Sequence, residues 1–188
     1  MASLPKLRDL KARVGSAVLG EVLAYWEGFI ERGIVPSFDD VEPWHIKRAL
    51  PYVWIWRRDP ETGRFFCRVC GEHVNYMFGR NISGKAVDEV MPPAMAAEAQ
   101  ARWRHLIDGR IAHHLVGCVY HYSDQQVMGE RLILPLAPSR NDGGGVLGAT
   151  DAAQPTLRMT SPVDPGKFVG IGVGERQDYD ADPSRQHD

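Results

Sequence analysis

Three cysteines and seven histidines are the residues of this 188-residue chain best suited to bind a metal or move a proton. Cys67-Arg68-Val69-Cys70 is a CxxC, and His73 three positions on is a third candidate zinc ligand. A structural zinc takes four ligands, no second CxxC or HxxxH lies near, and Cys118 is remote, so the set is one ligand short. The surrounding residues read as a strand, whose positions i and i+3 point to opposite faces, and a thioredoxin-like redox pair belongs at the start of a helix. Small buried thiols without a metal are the expectation. His105, His113, His114 and His121 gather in the second half of the chain. One aimed imidazole is enough for a haem iron, and an Asp/His pair in a cavity is enough for acid–base work. Ser83 and Ser123 have no GxSxG setting, Gly143 to Gly145 read as a turn, and neither a Walker-type nor a GxGxxG loop is present. No catalytic constellation emerges, so the expectation is that the chain is not an enzyme.

Binding chemistry is better represented. Arg68 interrupts an apolar run, where an arginine must reach solvent, pair with a carboxylate such as Glu72, Asp88 or Glu130, or face a cavity and clamp a ligand carboxylate by a bidentate contact. Trp54, Trp56, Phe65, Phe66, Trp103, Tyr120 and Tyr122 supply enough aromatic surface to wall such a cavity or to fill it. The candidate ligand-binding residues are therefore Arg68, Trp54, Phe66, Trp103 and Tyr120, with no metal site.

The elements that position these groups follow from periodicity. Val18, Leu19, Val22, Leu23, Trp26, Phe29 and Ile30 recur at helical spacing between Ser16, a suitable N-cap, and Gly33, a suitable residue just past the C-cap. That stripe is too broad for a lone exposed helix, so it packs on its own domain or pairs with the same helix of a second chain. Leu4, Leu7, Leu10 and Val14 among Lys6, Arg8, Lys11 and Arg13 read as a solvated arm or a basic amphipathic lead-in. A short helix is expected from Trp44 to Leu50, between Pro43 and Pro51. Five strands are expected at 52–57, 64–70, 112–122, 127–136 and 146–150, the first two joined as a hairpin and the outer strands pairing across the fold. Short helical excursions cover 71–79 and 81–90, and a longer helix runs from Pro93 to Gly109. Past Asp151 the periodicity stops and prolines recur. The division is thus a helical extension at 1–40, an α+β domain at 41–151 with helices on one face of an antiparallel sheet, and a largely disordered tail at 152–188.

Composition limits the partners. With 22 basic and 24 acidic groups the formal charge is −2, which lacks the cationic excess of duplex binding. No stretch approaches a membrane span and no signal-type segment opens the chain, so a cytoplasmic setting with reduced thiols is expected.

The order strand, strand, short helices, helix and three strands resembles the PAS domain over roughly 41–150, and more narrowly the small stand-alone bacterial PAS proteins. The resemblance rests on Pro43 to Pro51, on the run from Phe66 to Gly71, on Gly79-Arg80-Asn81-Ile82-Ser83-Gly84-Lys85, and on Glu130-Arg131-Leu132-Ile133-Leu134-Pro135-Leu136. In that branch an arginine followed three positions later by glycine ends the second strand, a place held here by Arg68 and Gly71, and a leucine-proline-leucine run ends the fourth. It implies a five-stranded sheet whose helices close a pocket, and a sensory or regulatory module that signals through protein–protein contact. Haem, a small metabolite or no cofactor all fit the resemblance, and His105 lies on the helix that many haem-binding PAS domains use. The flavin photosensor type needs a cysteine between 71 and 80, and none is there. The implied partners are a signalling protein and, through the N-terminal helix, a second copy. The competing expectation is a small cone-shaped α+β isomerase or dehydratase using a cavity histidine, for which the strand runs offer no inward acid.

Overall fold

The computed structural model describes residues 4–152, 168–170 and 173–186. Two helices open it, α1 (Leu7–Arg13) and α2 (Ala17–Glu31), followed by 3-10 turns at Phe38–Asp40, Pro43–Ile46 and Leu50–Tyr52. Ser16 is the N-cap of α2, its side chain accepting from Leu19 N, and Gly33 sits past the C-cap at φ 79, where a side chain would be strained. The helix expected from Trp44 to Leu50 is instead a series of 3-10 turns, since prolines at 43 and 51 bracket a segment too short to gain from α-helical pairing.

The sheet comprises β1 (Val53–Arg58), β2 (Phe65–Cys70), β3 (Ile111–Tyr122), β4 (Gln126–Leu136), β5 (Gly145–Ala152), β6 (Phe168–Gly170) and β7 (Val173–Asp180). Their order is β2-β1-β5-β4-β3, and both β6 and β7 pair with β3, every pairing being antiparallel. The first and last of the five expected strands, β1 and β5, do pair. Between β2 and β3 lie α3 (Glu72–Met77), α4 (Val87–Val90) and α5 (Pro93–Gly109). No helix among the described residues is long and apolar enough to cross a membrane.

Three expectations change. Helices cover both faces of the sheet, so there are two cores. One holds Trp54, Trp56, Phe65, Tyr120 and Trp103 under α3, α4 and α5. The other joins Leu19, Val22, Leu23, Trp26 and Ile30 of α2 to Leu132, Leu134, Leu147 and Ala149, so the broad stripe is answered by the chain's own sheet. The basic arm is a helix because Leu7 and Leu10 are buried in that second core. The supposed disordered tail holds β7, which runs beside Ile111–Cys118, with Tyr179 and Ala181 buried. Residues 153–167 lie outside the described part of the chain. Edge strands carry charge to avoid pairing with other chains, and Glu175, Arg176, Asp178 and Asp180 gave β7 the composition of a tail.

Candidate functional site

Between the sheet and α3, α4 and α5 lies a cavity of about 20 Å³. Trp54, Trp56, Phe78, Trp103, Tyr120 and Arg131 are among its walls. Trp103 reaches down from α5, stacks on Trp56 at 5.2 Å and meets Phe65 edge-on at 5.2 Å. The Trp54 indole lies over Gly148 of β5, where any added Cβ would come within 2.1 Å of the ring, so glycine there is what lets the indole enter the cavity wall. The aromatics nearly fill the space, since one water alone occupies roughly 10–15 Å³ of such volume.

Arg131 is the one arginine of the described residues that is fully sequestered, at 4% exposure. Its Nε donates to Thr150 Oγ1 at 3.0 Å, its Nη2 to Val119 O at 2.7 Å, and its guanidinium lies 5.0 Å from the centre of the Tyr120 ring. Trp54 Nε1 donates to the same Thr150 oxygen at 3.0 Å. No carboxylate among the described residues pairs with Arg131. Burial draws its pKa below the ordinary arginine value, countered by Tyr120. Burial likewise pushes the Tyr120 hydroxyl up, and the Arg131 charge opposes that. A buried cation without a counter-charge is costly, on the order of several kcal/mol, so this geometry holds a charge that an anionic or strongly polar guest would neutralise.

A second cleft, of about 50 Å³, adjoins the first and shares Trp103 and Arg131 with it. His113 of β3 enters this cleft at 3% exposure, with Nδ1 2.6 Å from Asp178 Oδ1 of β7. The carboxylate can only accept, so Nδ1 is assigned the proton and Nε2 is left as an acceptor. Burial holds the His113 pKa below the ordinary 6.5 despite Asp178, and the hydrogen bond from His113 holds the Asp178 carboxyl low. Both depressions act in one direction. The unfolded chain takes up the histidine proton first, so the stability contributed by neutral His113 is complete above about 6.5. It is lost as pH falls through the lower folded value, and the Asp178 contribution goes at still lower pH. Urea midpoints measured across this acid range should fall for the wild type and fall less for His113→Asn, whose amide keeps a donor for Asp178; equal slopes would refute the assignment.

On the other side of the same strands, charged groups fasten the start of α2. Glu130 accepts from Gly15 N at 3.0 Å and Ser16 N at 2.7 Å, and Ser16 Oγ donates to Asp151 Oδ2 at 2.7 Å. His114 Nε2 lies 2.6 Å from Glu130 Oε1. Glu130 pairs in register with Asp151, and Arg131 with Thr150, so the pair that meets α2 and the pair that meets the cavity are consecutive rungs of the β4–β5 ladder.

Of the expected ligand-binding residues, Trp54, Trp103 and Tyr120 meet at the cavity. Arg68 is exposed and Phe66 is half-buried beneath the Arg64 guanidinium, 5.3 Å away, so neither lines it. The reason is the register of β2, which slips between Ile55 and Trp56. Cys70 lies opposite Trp54 and Cys67 opposite Trp56, two partners on one face, so both thiols turn to the same core and Arg68 is turned to solvent. That corrects the expectation of opposed cysteines, and a hydrogen bond with Cys67 together with burial pushes the Cys70 thiol up, which makes it unreactive. Among the described residues no group of three or more His, Cys, Asp or Glu could hold a metal. His105 is exposed and His121 half-buried, and neither lines the cavity. Sequence reasoning missed Arg131, Thr150 and Asp178.

A family model described as PAS domain matches residues 15–151. No curated protein matches the chain. Among solved structures, VqmA bound to DPO is 18% identical with a TM-score of 0.42, covering 59% of this chain and 56% of that one. The Vibrio cholerae VqmA dimer in the absence of target DNA is 18% identical with a TM-score of 0.40, covering 57% and 48%. The VqmA–ligand–DNA complex from the same genus is 17% identical with a TM-score of 0.42, covering 61% and 52%. The chain thus spans about half the length of these solved chains.

Proposed function

Because the chain belongs to the PAS domain family, whose model covers residues 15–151, we propose that it is a sensory or regulatory module which takes a small ligand between sheet and helices and passes its state to a protein partner through the N-terminal helices. The supporting observation is the pair of adjoining rungs. Arg131 lines the cavity and Thr150 accepts from it and from Trp54, while Glu130 and Asp151, one residue along each strand, hold the N-terminus of α2. A ligand that pulls on the Arg131 guanidinium changes the tilt of the same backbone that places the α2 anchors, and packed elements of this kind shift as units. A signalling partner or a second copy would meet α2 on the side turned from the sheet, because its apolar stripe is already buried.

Thr150→Val tests the coupling. It removes the oxygen that accepts from both Trp54 and Arg131, touches nothing on α2, and should cost about 1–3 kcal/mol through unsatisfied buried donors. Amide hydrogen exchange over Gly15–Leu19 should accelerate several-fold more than exchange at the start of α5. Equal acceleration in both helices would reduce the effect to global destabilisation and defeat the coupling.

A second reading, the small α+β enzyme, is favoured by one observation: β7 supplies an acid partner for His113, Asp178, that the five-strand reading lacked. It requires turnover that disappears in His113→Asn.

A further inference from the structure

The cleft beside the aromatic cavity has a composition that selects its guest. Three arginines line it, Arg102, Arg131 and Arg176. Arg176 reaches Glu98, the one carboxylate on the lining, only at 3.9 Å, and Asp178 is engaged by His113 behind the wall. Positive charge is therefore in excess. His113 contributes the opposite hydrogen-bonding sense: with Nδ1–H given to Asp178, its Nε2 has no partner among the described residues, in a side chain 4% exposed. A volume of about 50 Å³ limits the occupant to a few heavy atoms, far below the roughly 300–1,000 Å³ of drug-sized sites.

We propose that this cleft binds a small carboxylate carrying an adjacent hydroxyl, its carboxylate held by Arg102 and Arg176 near the Arg131 charge and its hydroxyl donating to His113 Nε2. The inference rests on the ligand-cavity reading above and names the ligand class for it. A guanidinium fork matches a carboxylate edge, while the neutral imidazole acceptor among the arginines rewards a guest that also brings one donor. The contiguity of the two spaces at Trp103 and Arg131 places the bound anion where it would offset the buried charge of Arg131.

Calorimetric titration of the full chain with glycolate, acetate, ethylene glycol and inorganic phosphate tests the assignment. Glycolate should bind roughly tenfold more tightly than acetate, the size of one added hydrogen bond, and ethylene glycol should not bind. His113→Asn, which keeps a donor for Asp178, should erase the advantage of glycolate and leave acetate unchanged. Arg176→Gln, at a side chain 34% exposed, should weaken both carboxylates alike and serves if the histidine variant does not fold. Absence of carboxylate binding at high millimolar concentration would overturn the proposal. Phosphate binding tighter than glycolate and indifferent to His113→Asn would overturn it in favour of an unselective oxyanion site, and consumption of glycolate would replace it with the enzyme reading. Carboxylate binding without a change in α2 exchange would leave this site standing and remove the signalling role instead.

Discussion

Ending the chain after Ala152 should abolish its cooperative unfolding transition. The truncation removes β7 from its register with Ile111–Cys118 and exposes that whole edge of β3. It also takes away Tyr179, 1% exposed, and Ala181, which share a core with α1 and α2. Losing one buried aromatic alone costs about 3–5 kcal/mol. The same cut releases α1, since Asp180 N donates to Pro5 O at 2.8 Å, Leu7 N donates to Gln186 Oε1 at 3.3 Å, and Arg13 pairs with Glu175 at 2.6 Å. His113 would lose Asp178 as well. Together these approach the roughly 5–15 kcal/mol that holds an ordinary domain folded, and the exposed edge invites association. Circular dichroism against urea, with light scattering, would show a broad transition and aggregates. A truncated chain with the midpoint of the full chain would mean that β7 adds nothing to the fold.

Trp26→Ala should be the most damaging single substitution on the outer face of the sheet. The indole is 0% exposed, sits in the α2 core, and donates from Nε1 to Pro135 O at 3.1 Å. The cavity left by a buried tryptophan costs about 3–5 kcal/mol, and the orphaned carbonyl adds about 1–3 kcal/mol. Trp26→Phe retains much of the packing and should lose only the smaller part. Equilibrium urea unfolding separates the two. A loss under 1 kcal/mol for the alanine variant would make α2 a detachable extension of the domain, contrary to its burial.

The elements that local chemistry specifies were legible in the residues. Ser16 and Gly33 bracket α2 because a cap and a positive-φ stop act within a turn of the backbone. The stripe Met95, Ala99, Trp103, Leu106 and Ile107 reads as α5, and five β-rich runs between turn residues read as strands within a residue or two. Trp54, Trp103 and Tyr120 were legible as cavity-lining residues because large rings in a small domain have few places to be buried.

What the tertiary structure alone decided follows from longer-range geometry. The register slip in β2 turns Cys67 and Cys70 to one face and Arg68 to water, and a bulge is a property of the pairing with β1, not of the run Phe65–Cys70 itself. β7 is a strand only because β3 offers an unpaired edge and α1 needs a floor for Leu7 and Leu10, so its charged residues satisfy an edge strand while imitating a tail. Arg131 lines the cavity for the same kind of reason. With helices on both faces, β4 is buried from Arg131 to Leu136, and a strand covered on both sides loses the polar–apolar alternation by which a sequence announces which side chains look inward.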